Sequence, residues 1–209
     1  METGRIRVMI VDDHELVRAG VSAVLAREDH IAVVAEAASG PDAVCLFRKH
    51  RPDVTLLDLT MPGMDGIATI GAIRHEFPDG RFIVLTVHDG DEDVHRALDA
   101  GAQGYLLKTA SGTEIVETVR AVHAGLRRVS REATERLEEY PVGAHLTPRE
   151  IEVLRLLTRG LTNNEIAAEL HVSGTTAKWY VKNILEKLGV SDRTAAVTTA
   201  FKRGILHQP

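Results

Sequence analysis

The sequence predicts an α/β domain, a doubly wound sheet of five parallel strands, followed by a small all-α domain of four helices. Three observations carry this expectation. Short β-branched runs alternate with amphipathic helical stretches through residue 124, the pattern of βα units around a parallel sheet. The alternation breaks over 125–145, GLRRVSREATERLEEYPVGAH, which is dense in charge and holds Gly125, Pro141 and Gly143. Beyond it the period is helical only, punctuated at each turn. The 209 residues, 44% of them apolar, suffice for two cores.

In order, strands are expected at Arg7–Val11, Ala32–Glu36, Val54–Leu57, Phe82–Thr86 and Gly104–Leu107, each a short run of apolar or β-branched residues. Helices are expected between and after them at Glu15–Ala26, Pro41–His50, Gly66–Glu76, Asp91–Ala100 and Ser111–Ala124. In such a sheet, ligands bind beyond the carboxyl ends of the strands where the winding reverses. The first domain is placed at 1–124, and 125–145 reads as a linker with room for one short helix. In the second domain, 146–209, Thr147-Pro148-Arg149-Glu150 forms a capping box with proline at the first helical position. Thr162-Asn163-Asn164-Glu165 repeats the box after the stop at Gly160, and Ser173 and Ser191 are expected to cap the last two helices. Asn164–Leu170, the turn His171-Val172-Ser173-Gly174 and the helix after it make a helix-turn-helix.

The net charge of −5 conceals an asymmetry: residues 1–145 carry 16 basic and 24 acidic side chains, −8, whereas 146–209 carry 9 and 6, +3. A mildly basic domain on an acidic chain suits nucleic acid, and suits a solvated helical bundle as well. The single Cys45 forms no disulfide within the chain and is expected to pack as a small side chain. No segment reaches the roughly 20 apolar residues that span a bilayer, and the N-terminus lacks the form of a signal peptide, so a cytoplasmic setting is expected.

The run Val54–Leu57 ends in Asp58, a costly place for an unpaired carboxylate. The first strand likewise ends in Asp12 and Asp13, and adjacent central strands would bring the three acids together. Like charges at that range call for a cation, and three oxygens with open coordination positions suit Mg²⁺. At the ends of strands four and five stand Thr86 and Lys108, a hydroxyl donor and an ammonium, each suited to one oxygen of a group on Asp58. A metal on one side and a donor plus a cation on the other suit phosphoryl transfer, with Asp58 as nucleophile. Singly, each residue reads as a helix cap or a solvated side chain; jointly they sit at four strand ends. A dinucleotide site would need glycines where Asp12-Asp13-His14-Glu15 stands, and a haloacid-dehalogenase-type phosphatase a second Asp where Thr60 stands, so no turnover enzyme is expected.

In SGTTAKWYVKNILEKLGV, residues 173–190, Ala177, Val181, Ile184, Leu185 and Leu188 recur at three and four residues as a buried stripe. Lys178, Trp179 and Lys182 lie off it, at the end of the helix that would enter the major groove. The lysines would neutralise phosphates or reach guanine acceptors, and Trp179 would touch thymine methyls or the sugar edge. The alternative for Trp179 is burial against the linker or the first domain.

The N-terminal half resembles the receiver domain of bacterial two-component response regulators, through Val11-Asp12-Asp13-His14, Asp58 with Met61-Pro62-Gly63-Met64-Asp65-Gly66, Thr86, and Gly104-Tyr105-Leu106-Leu107-Lys108. The C-terminal half is similar to the LuxR-type DNA-binding domain, through Leu146–Glu150, Glu165-Ile166-Ala167, Lys178, Asn183-Ile184-Leu185, Lys187–Val190 and Arg193-Thr194. Together they look like a NarL/FixJ-type response regulator with a flavodoxin-like receiver. The resemblance implies that Asp58 takes phosphate from a sensor histidine kinase and that Asp13, Asp58 and the Thr60 carbonyl ligate Mg²⁺, with Asp12 acting through water. It implies that Thr86 and Tyr105 move together as the switch, and that phosphorylation favours a homodimer on double-stranded promoter DNA. Lys178, Trp179, Lys182 and Thr176 are then the expected DNA contacts. Val197 and Phe201 in the last helix either form part of a dimer contact or are buried within one subunit. The rival expectation is a phosphorylation-independent interaction scaffold, against which the intact Asp12, Asp13, Asp58, Thr86 and Lys108 speak. A small-molecule-sensing regulator would need an apolar pocket that the N-terminal half does not announce.

Overall fold

The computed structural model describes residues 4–87, 90–139 and 146–206, with side chains from 136 to 139 left aside. The chain forms two compact units. The first is built from β1 (Ile6–Val11), α1 (Glu15–Leu25), β2 (Ile31–Ala37), α2 (Gly40–His50), β3 (Val54–Leu57), α3 (Gly66–Glu76), β4 (Phe82–Thr86), α4 (Asp91–Ala100), β5 (Gly104–Leu107) and α5 (Gly112–His123). The sheet order is β2-β1-β3-β4-β5, all parallel, so the winding reverses between β1 and β3. The expected doubly wound sheet is therefore present.

Strands β3 and β4 are buried at every residue, as a sheet covered on both faces demands. Period two divides them: Ile6, Val8 and Ile10 with Val54, Leu56, Ile83 and Leu85 join Val21 and Leu25 of α1 and Ile115, Val119 and Val122 of α5 in one core. Helix starts are set by side-chain caps. Ser39 accepts from Asp42 N, Asp65 from Ala68 N and Ser111 from Glu114 N.

Beyond the five strands, the stretch read as a linker contributes two elements. A short strand, β6 (Arg128–Val129), pairs in parallel with β5 at the sheet edge, and the helix α6 (Arg131–Glu139) follows it. Residues 140–145, with Pro141 and Gly143, lie outside the described residues.

Cys45 is exposed, contrary to the packed position expected. Helix α2 turns Gly40, Ala43 and Phe47 inward at spacings of three and four, and that period leaves position 45 on the outer face.

The second unit holds α7 (Pro148–Thr158), α8 (Asn163–Glu169), α9 (Gly174–Leu188) and α10 (Arg193–Lys202). Both capping boxes form as expected at Thr147/Glu150 and Thr162/Glu165. Ser173 caps α9, whereas α10 is capped by Asp192, whose carboxylate accepts from Ala195 N at 2.9 Å, and not by Ser191. One residue later in the chain, a charged acceptor caps the helix with a stronger hydrogen bond than a hydroxyl makes. Ala177, Val181, Ile184 and Leu188 face the core formed with Val153, Leu154, Leu157, Ile166, Ala196 and Ala200. Val197 and Phe201 pack half-buried against that core within the subunit.

Candidate functional site

Asp12, Asp58 and Lys108 are each the first residue beyond a strand, after β1, β3 and β5 respectively. Backbone hydrogen bonds tie these ends together: Asp58 N donates to Val11 O at 2.9 Å and Lys108 N to Thr86 O at 2.7 Å. The acids therefore stand where the winding reverses, the position the fold reserves for a ligand.

The carboxylates of Asp12 and Asp58 are 4% exposed, and the Lys108 ammonium bridges them, 2.6 Å from Asp12 Oδ2 and 2.8 Å from Asp58 Oδ2. Burial is the largest single influence on Lys108 and works against its charge. The hydrogen bonds to Asp12 and Asp58, with the attraction of both carboxylates, together outweigh it and hold the amine above the ordinary lysine value. The terminal carboxylate of β3 is thus paired, which answers its cost.

Asp13 adds a third acid. Its Oδ1 is buried and accepts no hydrogen bond. Three carboxylates and one ammonium leave the pocket two negative charges in excess, and Asp12, Asp13 and Asp58 each bring an oxygen within 4.8 Å of the others. Three hard carboxylates, one of them with a buried oxygen that accepts no hydrogen bond, fit Mg²⁺. Thr60 is exposed on the loop after Asp58, and its amide donates to Asp58 Oδ1 at 3.4 Å. Thr86 closes β4, fully buried and paired in register with Leu107. Tyr105, three residues before Lys108 on β5, is also fully buried.

The segment after Asp58 is built for close approach. Gly63 turns the chain at φ +78°, Asp65 caps α3, and a Cβ at Gly66 would lie 2.3 Å from the Asp58 carbonyl oxygen. Asp65 is therefore a cap and not a fourth acid of the pocket.

Two neighbours of the pocket were not singled out by sequence reasoning. Arg18, from α1, donates to the Asp12 carbonyl at 2.7 Å and fixes the β1–α1 turn. His14 places Nδ1 2.9 Å from Asp13 Oδ1. The adjacency of His14 to Asp12-Asp13 was a usable signal; the long reach of Arg18 was not.

On the second unit, α8, its turn and α9 form the helix-turn-helix. Lys178 and Lys182 are exposed, Trp179 is 55% exposed with its ring edge-on to Tyr180, and Lys182 pairs with Glu186 at 3.4 Å. Thr176 is half-buried, its hydroxyl 2.8 Å from Ser173 Oγ in the cap of α9. Several cations serve the fold instead: Arg149 donates to Leu170 O at 2.8 Å, Arg193 to Leu161 O at 3.2 Å, and Lys187 lies 2.7 Å from Glu150 Oε2.

Comparisons with known proteins match these two regions separately. Residues 8–120 match the response regulator receiver domain, and 144–200 match the bacterial regulatory proteins of the luxR family. The chain is 40% identical to the response regulator protein VraR of Staphylococcus aureus, over 96% of this chain and 99% of that one. Among solved structures, the two-component response regulator RcsB in complex with DNA aligns with a TM-score of 0.73 at 30% identity, covering 95% of this chain and 99% of that one. The response regulator ChrA of a heme-sensing two-component system aligns at 0.58 and 38% identity, over 97% and 100%.

Proposed function

Because the chain belongs to the response regulators that join a receiver domain to a LuxR-type DNA-binding domain, we propose that it is switched by phosphorylation of Asp58 by a sensor histidine kinase. Members of this family are DNA-binding transcription regulators and not enzymes. The observation that carries the proposal is the Lys108 ammonium shared by Asp12 and Asp58 beside a buried Asp13 oxygen that accepts no hydrogen bond.

Asp13, Asp58 and the Thr60 carbonyl would hold Mg²⁺, with Asp12 acting through water; the ion would supply positive charge to phosphoryl oxygens. An Asp58 oxygen forms the new P–O bond as the bond from phosphorus to the donor's imidazole nitrogen breaks, and that nitrogen recovers a proton. Lys108, charged at neutral pH, exchanges the Asp58 carboxylate for a phosphoryl oxygen, and the Thr86 hydroxyl donates to another. Burial keeps water from competing for either donor. Thr86 and Tyr105 then move together, and the phosphorylated form favours a homodimer.

The output is binding to double-stranded promoter DNA by residues 146–209, connected through 125–145 to the phosphoacceptor domain of residues 1–124. Lys178 and Trp179 are exposed for contact in the N-terminal half of α9, Lys182 is exposed just past its middle, and Thr176 joins them from the helix cap. Acting on the chromosome, the protein works in the cytoplasm. Among the described residues no helix is long and apolar enough to cross a membrane.

A small-molecule phosphodonor with Mg²⁺ tests the proposal. The wild type should incorporate phosphate, dimerise and bind DNA more tightly, and Asp58→Asn should do none of these. Phosphate retained by Asp58→Asn refutes the site, and DNA binding that ignores phosphorylation favours the scaffold reading.

A further inference from the structure

His14 is the residue of the pocket that the phosphoryl chemistry leaves unused. It stands at the N-cap of α1, with φ −86° and ψ 111°, where a side chain ordinarily accepts a hydrogen bond from the first turn, yet it caps nothing. Its imidazole turns back over the acids instead, with Nδ1 2.9 Å from Asp13 Oδ1 and 3.3 Å from Asp12 Oδ1. The ring is 66% exposed, so no packing fixes it there.

One donor atom from each of Asp12, Asp13, His14 and Asp58 fits within 4.8 Å. In an octahedral shell with bonds of roughly 2.1 Å, opposite corners are about 4.2 Å apart and adjacent ones about 3.0 Å, so the widest-spaced of these donors must draw together for one ion to reach all four. The oxygen beside the imidazole, Asp13 Oδ1, is also the buried one without a hydrogen bond. Mg²⁺ gains little from a nitrogen donor, whereas borderline transition dications bind imidazole well, in the order Mn²⁺ < Co²⁺ < Ni²⁺.

We propose that His14 Nδ1 is a metal ligand, through which the pocket takes a borderline transition dication in preference to Mg²⁺. The proposal rests on the reading of this pocket as a dication site. With the imidazole and the carboxylates all engaged, such an ion keeps fewer positions open for phosphoryl oxygens. It therefore competes with Mg²⁺ and slows phosphate uptake at Asp58.

The test uses the untagged full-length chain. Co²⁺ and Mg²⁺ affinities are measured for the wild type, His14→Ala and Asp13→Asn, and pulsed EPR of the Mn²⁺-loaded protein reports directly bound nitrogen. The expected result is a loss of roughly tenfold or more in Co²⁺ affinity for His14→Ala, with Mg²⁺ affinity kept and the nitrogen coupling gone. Excess Mg²⁺ should displace the Mn²⁺ that shows the coupling, which separates the pocket from the other histidines of the chain. Equal Co²⁺ affinity in His14→Ala and wild type, or a coupling that survives the substitution, overturns the assignment of His14 alone. Undiminished binding of both metals by Asp13→Asn overturns the dication pocket and this inference with it.

Discussion

Replacing Lys108 by methionine removes the ammonium that Asp12 and Asp58 share, and the structure sets the size of the consequence. The two carboxylates are 4% exposed and bring oxygens within 4.8 Å of one another. At an effective dielectric constant of about 20, two unit charges at that distance repel by about 3.5 kcal/mol. Removing one partner from a buried ion pair costs about 3–5 kcal/mol by a separate route, because the remaining charge is left uncompensated. The two figures agree on a loss near 3 kcal/mol, a fall on the order of 10 °C in melting temperature for a domain of this size. A dication in the pocket takes over the missing charge, so Mg²⁺ should stabilise Lys108→Met more than it stabilises the wild type. At a hundredfold excess over Kd, that binding returns about 2.7 kcal/mol. Thermal melts of both proteins with EDTA and with saturating Mg²⁺ measure the four values. A variant that melts with the wild type in EDTA, or gains no more than the wild type from Mg²⁺, would show that the bridging ammonium is not what permits the buried acids.

Three further outcomes follow from the geometry. Gly66→Ala drives a Cβ to 2.3 Å from the Asp58 carbonyl and 2.8 Å from the Leu59 Cα; backbone cannot yield cheaply, so stability should fall by about 1–3 kcal/mol and phosphate uptake should slow, read by melting and phosphodonor labelling. Lys178→Ala should weaken DNA binding and reduce the salt slope by about one phosphate contact, whereas Trp179→Ala should change sequence preference with the slope intact, both read by titration over a range of salt. Glu150, despite the burial that works against its charge, is held below the usual carboxylate range by hydrogen bonds from Lys187 and Thr147. With its folded pKa lowered, its stabilisation is present above pH 4.5 and is lost as pH falls through that value toward the folded pKa; Glu150→Gln should cost about 1–2 kcal/mol at neutral pH, and the gap to the wild type in melting should close in acid.

The strands of the first unit were legible because both of their faces are buried, which leaves unbroken apolar runs whose ends are marked by charge: Val11 before Asp12, Leu57 before Asp58, Leu107 before Lys108. Helix starts were legible wherever a short polar residue had one amide to reach, as at Thr147 and Thr162. At Ser191-Asp192 two such residues compete, and sequence cannot rank a hydroxyl against a carboxylate one position later. Strand β6 carried no pattern at all. Two residues hold no alternation, and the strand is fixed by backbone hydrogen bonds, Arg128 N to Gln103 O and Ser130 N to Tyr105 O, both at 2.9 Å. Arg18 was illegible for a related reason, since a guanidinium that seeks a carbonyl leaves no mark that distinguishes it from a solvated one.

The pocket's charge explains why its parts were recognisable together and not singly. Any one of Asp12, Asp13 and Asp58 could cap a helix, and Lys108 alone could lie in solvent. Once the parallel order β1-β3 and β4-β5 is imposed, Asp12, Asp58 and Lys108 must share a volume that excludes most water, with Asp13 at its edge. The two negative charges left over cannot be relieved by rotating a side chain away, because Asp12 and Asp58 are anchored at the ends of buried strands. Such a site favours a dication that completes its charge. The excess charge that makes the pocket costly without a metal is also what makes it selective for a dication over a monovalent ion, and the Lys108 contact to Asp58 is the one a phosphoryl group would have to replace.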